Sequence, residues 1–226
     1  MPKFLLIESS GDTCSAAVSQ GTDIIAEKSI EERNSHSTHL ASFVDEVLQE
    51  VDQKIADLDA IVVGGGPGSY TGLRIGVSLA KGLCFGGNVP LVSCSTLRAL
   101  AVAALEKEPY AKRVISLIDA RRMDAYLGVF DANLKAEVEE HFITIDEQLA
   151  SNYLREKTIA VGSGAAKWLA EFGVDLNIIN TKSAIYAKHL LPEALQKWEQ
   201  NALEDVAYYE PNYIKSVYVT TPKPKF

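Results

Sequence analysis

The residues best suited to chemistry in this chain are grouped around glycines. Nine of its fifteen glycines fall between positions 64 and 87, where AIVVGGGPGSYTGLRIG passes from an apolar strand pattern into a helical one. A strand, the loop Gly64-Gly65-Gly66-Pro67-Gly68-Ser69 and a helix start form the arrangement in which free N–H groups and a helix dipole receive an anion. The same glycines have a second reading. They supply turn conformations closed to other residues, and Gly72, Gly76, Ala80 and Cys84 make a small-residue ridge that lets another helix come close. Spacing leaves both readings open. It disfavours two nucleotide-binding signatures, since neither G-x-x-x-x-G-K-[ST] nor G-x-G-x-x-G with an acidic residue about 20 positions on is present.

Histidine and cysteine offer less. His36 and His39 stand at i, i+3 spacing, but no third ligand is evident nearby, and His141 and His189 have no recognisable partners. Cys14, Cys84 and Cys94 have neither C-x-x-C spacing nor an even count, and their apolar surroundings mark them as small core residues. Two carboxylates stand out by position instead: Glu8 closes the apolar run KFLLIE and Asp119 closes VISLID.

These residues need elements to hold them. Residues 3–8 read as a buried strand, and 14–20 with 23–30 as a hairpin around Gly21-Thr22. Leu40, Phe43, Val44, Val47, Leu48 and Val51 follow one helical face. A buried strand at 60–64 leads into a helix over 71–85, then a strand at 90–93 and a helix capped by Ser95. The order then repeats. A strand at 114–119, a hairpin of 126–130 and 134–142, a strand at 159–162 and a helix after Ser163-Gly164 follow, with Glu8 and Asp119 offset by 111 residues. The repeat predicts a duplicated three-layer α/β unit, two subdomains facing a cleft. The expected division is 1–106, 107–208 with a helix at 184–198, and a segment 209–226 that packs back on the first half.

Composition narrows the function. With 226 residues, 47% hydrophobic and 23% charged, the chain can bury a substantial core. Thirty acidic against 22 basic residues leave a net charge of −8, which repels a phosphate backbone. Lys112, Arg113, Arg121 and Arg122 are the densest basic group. The longest uncharged run, 82–97, is broken by glycines, Asn88 and Pro90, so no membrane span is expected, and a cytoplasmic location is.

GGGPGSYTGLRIGVSLAKGL, with LLIESSGDTCSAAV, VPLVSCSTL, LIDARRMDAYLGVF and EPNYIK in that order along nearly the whole chain, closely resembles the bacterial TsaB (YeaZ) family. The resemblance implies the duplicated actin-like, Hsp70-like, sugar-kinase-like (ASKHA) fold. It implies a non-catalytic partner of TsaD in forming N6-threonylcarbamoyladenosine at position 37 of tRNAs reading ANN codons, with the ATPase TsaE completing the assembly. TsaD-like proteins carry an HxxxH metal pair whose positions, counted from Asn88-Val89-Pro90, fall here on Thr96 and Leu100. Neither serves as such a ligand.

Further expectations follow from the resemblance. The helices at 37–51 and 71–85 are expected to contact TsaD, or a second copy when the chain is alone, through His39, Phe43, Val47, Gly72, Gly76, Leu79, Ala80 and Leu83. No cofactor is expected on the chain alone, and ATP or ADP is expected, if anywhere, at the shared interface. Glu8, Ser10, Gly66, Gly68, Ser69, Arg74 and Asp119 are the candidates for such polar contacts, with Arg74 also a candidate for TsaE. Contact with tRNA is expected to be indirect. Set against this is an autonomous ASKHA-type ATP-binding phosphotransferase or ATPase using Glu8 and Asp119 with Mg²⁺. Ser9-Ser10-Gly11-Asp12 keeps a polar turn for it, whereas Ala120-Arg121-Arg122-Met123 is not a matching glycine loop.

Overall fold

The computed structural model describes residues 1–32, 36–172 and 185–214. The first half forms a five-stranded sheet from β1 (Lys3–Glu8), β2 (Thr13–Gln20), β3 (Asp23–Glu31), β4 (Ala60–Gly66) and β5 (Leu91–Ser95), in the order β3-β2-β1-β4-β5. The second forms a four-stranded sheet from β6 (Arg113–Asp119), β7 (Asp124–Asp131), β8 (Ala136–Thr144) and β9 (Thr158–Val161), ordered β8-β7-β6-β9. In each, the first strand pairs antiparallel with the hairpin after it and parallel with the strand beyond. This is the duplicated α/β architecture that the repeat predicts. Strands β1 and β4 are buried on both faces, which is why they read as unbroken apolar runs rather than alternating ones.

Helical layers alternate with the sheets. On the outer face of the first sheet, α1 (His36–Glu50) and α2 (Tyr70–Gly87) cover Leu5, Ile7, Ile61 and Val63 with Leu40, Val44, Val47, Val77 and Ala80. Between the sheets, α3 (Thr96–Lys107) packs Leu97, Leu100, Ala101 and Ala104 against Phe4, Leu6 and Val62 on one side and Val114, Phe130 and Val161 on the other. Outside the second sheet lie α4 (Gln148–Tyr153) and α5 (Ser163–Phe172), the latter burying Trp168 completely. Removing Leu100 to alanine in such a site costs about 2–5 kcal/mol.

Several boundaries differ from expectation. Leu134 is not in a strand but in a left-handed turn at φ 62°, where Asp131 accepts the N–H groups of Asn133 and Lys135. Helix α4 has too few residues for periodicity to reveal. The C-terminal helix, assigned by sequence to the second half, is α6 (Leu191–Glu199), and it lies on the first sheet's side of the middle layer. There Lys197 donates to the Ser93 carbonyl at 2.6 Å and Glu193 accepts the Ser95 N–H at 2.9 Å. Residues 204–213 do return to the first half: Glu204 N donates to Leu91 O, Asn212 N to Gly65 O, and Tyr209 pairs with Ser93. The remainder of the expected C-terminal segment, 215–226, lies outside the described residues, as does Ala184. Among the described residues no helix is long and apolar enough to cross a membrane.

Candidate functional site

The glycine loop is built against the turn that follows β1. A Cβ at Gly72 or Gly76 would come closer than 3.0 Å to Ser9, at Gly68 within 2.6 Å of the Ser10 carbonyl, and at Gly64 onto the Glu8 carboxylate. Gly66 adopts φ 109°, which favours glycine on backbone grounds alone. Hydrogen bonds lock the contact. Ser69 N donates to Ser10 O at 2.7 Å, Ser9 Oγ donates to Gly72 O at 2.9 Å, and the Ser69 hydroxyl caps α2 by accepting Gly72 N. The N–H groups of Ser69 and Gly72, which an anion at this helix start would draw on, are thus committed within the chain. Of the two readings that spacing left open, close packing is the one these contacts serve, and the approaching element is the β1–β2 turn rather than a foreign helix.

The two strand-end carboxylates have different surroundings. Glu8 is fully buried; Oε1 accepts Ser10 N at 2.5 Å, while Oε2 has no partner. Burial pushes its carboxyl from 4.5 up to about 7 against the opposing effect of the Ser10 and Ser9 hydrogen bonds. Asp119 is exposed, pairs with the Lys167 ammonium and accepts Arg121 N at 2.7 Å. The structure therefore brings Glu8, Ser10, Gly68, Ser69, Gly72 and Gly76 together under α2, and places Asp119 in a separate, exposed cluster.

The metal positions of the family pattern do not fit a metal. Thr96 is buried with its hydroxyl bonded to the Pro67 carbonyl, and Leu100 is a core residue of α3. Among the described residues no group of three His, Cys, Asp or Glu side chains is placed to hold an ion. His36 is buried against the Thr13 carbonyl while His39 stacks on Phe43, so the pair does not converge. His189 accepts Tyr186 N on Nδ1 at 3.0 Å and faces Glu106 through Nε2. The three cysteines are buried, and burial raises their thiols, to about 11 for Cys14 and about 12 for Cys84.

A cavity of ≈ 360 Å³ opens where the halves meet, lined by Ser95, Arg98, Phe130, Glu140, Glu193 and Asn212 among others. Glu140 of β8 pairs there with the Ser95 hydroxyl, and burial pushes its carboxyl to about 7.

The outer helices require a correction. Val47, Gly72, Gly76 and Ala80, expected to meet a partner, are buried inside the chain's own first layer. The small-residue ridge faces inward because Ser9 and the β4 surface occupy the space a side chain would need. His39, Phe43, Leu79 and Leu83 are only partly buried. Residues that sequence reasoning passed over complete this face. Phe85 is 87% exposed, and Gly82 and Gly86 beside it have nothing within 4 Å of where a Cβ would stand. At the other end of α2, Arg74 lies over the Tyr70 ring at 5.2 Å, and Tyr213 packs on Tyr70 at 5.4 Å. The signal for Phe85 was present as an aromatic residue off the buried helical face, between two glycines.

Comparisons with known proteins bear on this arrangement. A family model described as TsaD, tRNA N6-adenosine threonylcarbamoyltransferase, matches residues 23–222. The tRNA threonylcarbamoyladenosine biosynthesis protein TsaB of Escherichia coli is 27% identical over 95% of each chain. Its counterpart in Haemophilus influenzae is 29% identical over 94% of this chain and 93% of that one. The solved structure of YeaZ from Pseudomonas aeruginosa superposes with a TM-score of 0.84 at 24% identity, covering 94% of this chain and 100% of that chain, which is a likeness of fold.

Proposed function

We propose that this chain, which belongs to the TsaD-type family of tRNA N6-adenosine threonylcarbamoyltransferases, serves tRNA threonylcarbamoylation as a non-catalytic partner that docks on a TsaD-like subunit. The observation that carries the reading is the outer face of α2, where Phe85 projects between the open positions Gly82 and Gly86 with Leu79 and Leu83 alongside. An exposed aromatic residue on a flat platform suits a helix of a partner approaching at 8–10 Å between axes. The buried Thr96 and Leu100 at the family's metal positions support a role without metal chemistry. The Tyr70–Arg74–Tyr213 cluster is the chain's contribution to a contact with a TsaE-like ATPase or with ATP or ADP at the shared interface. In isolation the same face pairs two copies.

The autonomous phosphotransferase reading draws less support. It needs Glu8 and Asp119 on one metal, whereas Glu8 is sealed beneath Ser9, Ser10 and the glycine loop. The deciding experiment is the mass in solution, by size-exclusion chromatography with light scattering, of the chain alone and mixed with the TsaD-type protein of the same organism. A dimer that exchanges to a 1:1 heterodimer is expected. A chain that ignores the TsaD-type protein, even with TsaE and ATP added, and that binds ATP alone would overturn the reading.

A further inference from the structure

The β6–β7 turn carries the two arginines of the densest basic group that the fold leaves free. Arg121 and Arg122 follow Asp119 and Ala120, and both adopt left-handed backbone conformations, φ 71° and 52°. Two consecutive non-glycine residues there store strain that the surrounding structure must hold in place. The hold is visible. Asp119 accepts Arg121 N and the Lys167 ammonium, and Lys167 also donates to Arg122 O at 2.5 Å and Asp124 O at 3.4 Å. Ala120 N donates to Asp124 O, and Asp124 N donates back to Arg121 O, both at 3.0 Å. Ser163 Oγ, at the start of α5, accepts Asp119 N.

Both arginines are exposed, and neither guanidinium has a partner among the described residues. The turn and its brace hold three cations against two carboxylates, in a chain with net charge −8. Two unpaired guanidiniums carried side by side on a braced backbone turn suit phosphate oxygens, which arginine engages through a rigid fork of donors. The other two members of the group serve the fold or lie elsewhere: Arg113, at the opposite end of β6, is bonded to Glu137 and the Tyr153 carbonyl.

We infer that Arg121 and Arg122 form a direct contact with the phosphate backbone of the RNA on which the assembly acts, a positioning contact and not a base-reading one. The inference rests on the proposed role in tRNA modification and departs from the expectation drawn from the sequence that RNA contact is only indirect.

The test measures binding of an unmodified tRNA transcript to the reconstituted complex of this chain with its TsaD-type partner, at salt from 50 to 300 mM. Arg121→Gly with Arg122→Gly removes both charges and suits φ above zero, so the complex and its melting temperature should be retained. The slope of log affinity against log salt should fall by about 1.5, at about 0.7–0.9 per lost phosphate contact. Arg121→Lys with Arg122→Lys should restore most of the slope. An unchanged slope in an intact, active complex would overturn the inference and leave the proposed function standing. Glycine variants that fail to join the TsaD-type protein would assign the turn to a protein contact and overturn the inference. Failure of the unaltered chain to form a complex would refute the proposed function, and tRNA binding by the chain alone would then read the turn independently.

Discussion

Gly82→Leu separates folding from association, because the two should move in opposite directions. The position sits in the interior of α2, and a Cβ there meets nothing within 4 Å. Leucine is a better helix former than glycine by about 0.8 kcal/mol. For a chain of this size that is a rise of about 2–3 °C in melting temperature. Association should weaken. A helix seated 8–10 Å from the α2 axis must move aside for a new isobutyl group, and such overpacking costs about 1–3 kcal/mol, or about 5- to 150-fold in affinity. Differential scanning calorimetry reads the first quantity, and sedimentation velocity of the chain alone and with its TsaD-type partner reads the second. Tighter folding with unchanged affinity would refute the docking face. A lower melting temperature would refute the packing account of α2 itself.

Three other outcomes follow from the same geometry. Phe85→Ser should weaken association by about 1.5–3 kcal/mol, the value of burying a phenylalanine, without altering the unfolding transition; Tyr110→Ser, at an equally exposed residue off α2, should change neither. Gly72→Ala, in contrast, should destabilise the fold itself by several kcal/mol, seen as a lower urea midpoint, because its methyl group meets the Ser9 backbone. The third concerns pH. A carboxyl raised from 4.5 to about 7 keeps its proton longer in the folded state, so Glu8's contribution is fully present below pH 4.5 and is lost as pH rises through 7, by about 3 kcal/mol. Glu8→Gln should therefore flatten the fall in stability between pH 5 and 8 measured by chemical denaturation, and an unchanged slope would place the titration elsewhere. Burial holds His189 neutral down to about pH 4, which has the opposite sign: its contribution is present above 6.5 and lost on acidification.

The strands and their duplication were legible because buried parallel strands announce themselves as apolar runs, and because Glu8 and Asp119 end equivalent strands. Helix α2 was legible too, but not which of its glycines faced inward. Gly72 and Gly76 face Ser9, the residue just past the end of β1, which is 63 positions before Gly72, and Gly82 faces solvent, although all three lie in one helix. Only the path of the β1–β2 turn decides between them. The place of α6 was hidden for a similar reason. Its amphipathic pattern predicts a buried face, and both sheets offered one; the Lys197–Ser93 and Glu193–Ser95 contacts choose the first. The braced turn at Arg121 was invisible as strain, since only coordinates reveal a positive φ.

Helix α3 has a consequence for how this molecule can carry a signal. Its alanine-rich surface is wedged between two sheets, and residues from both halves share one continuous core around it. In a hinged relative of such a fold, ligand energy is spent rotating one lobe against the other. Rotation here would tear apolar side chains from both sides of α3 at once, a rearrangement approaching the scale of unfolding. The chain is thus a wedge rather than a clasp, and whatever it communicates must pass as a fixed shape from one face to another. Heating should report this as a single calorimetric transition, with neither half melting ahead of the other.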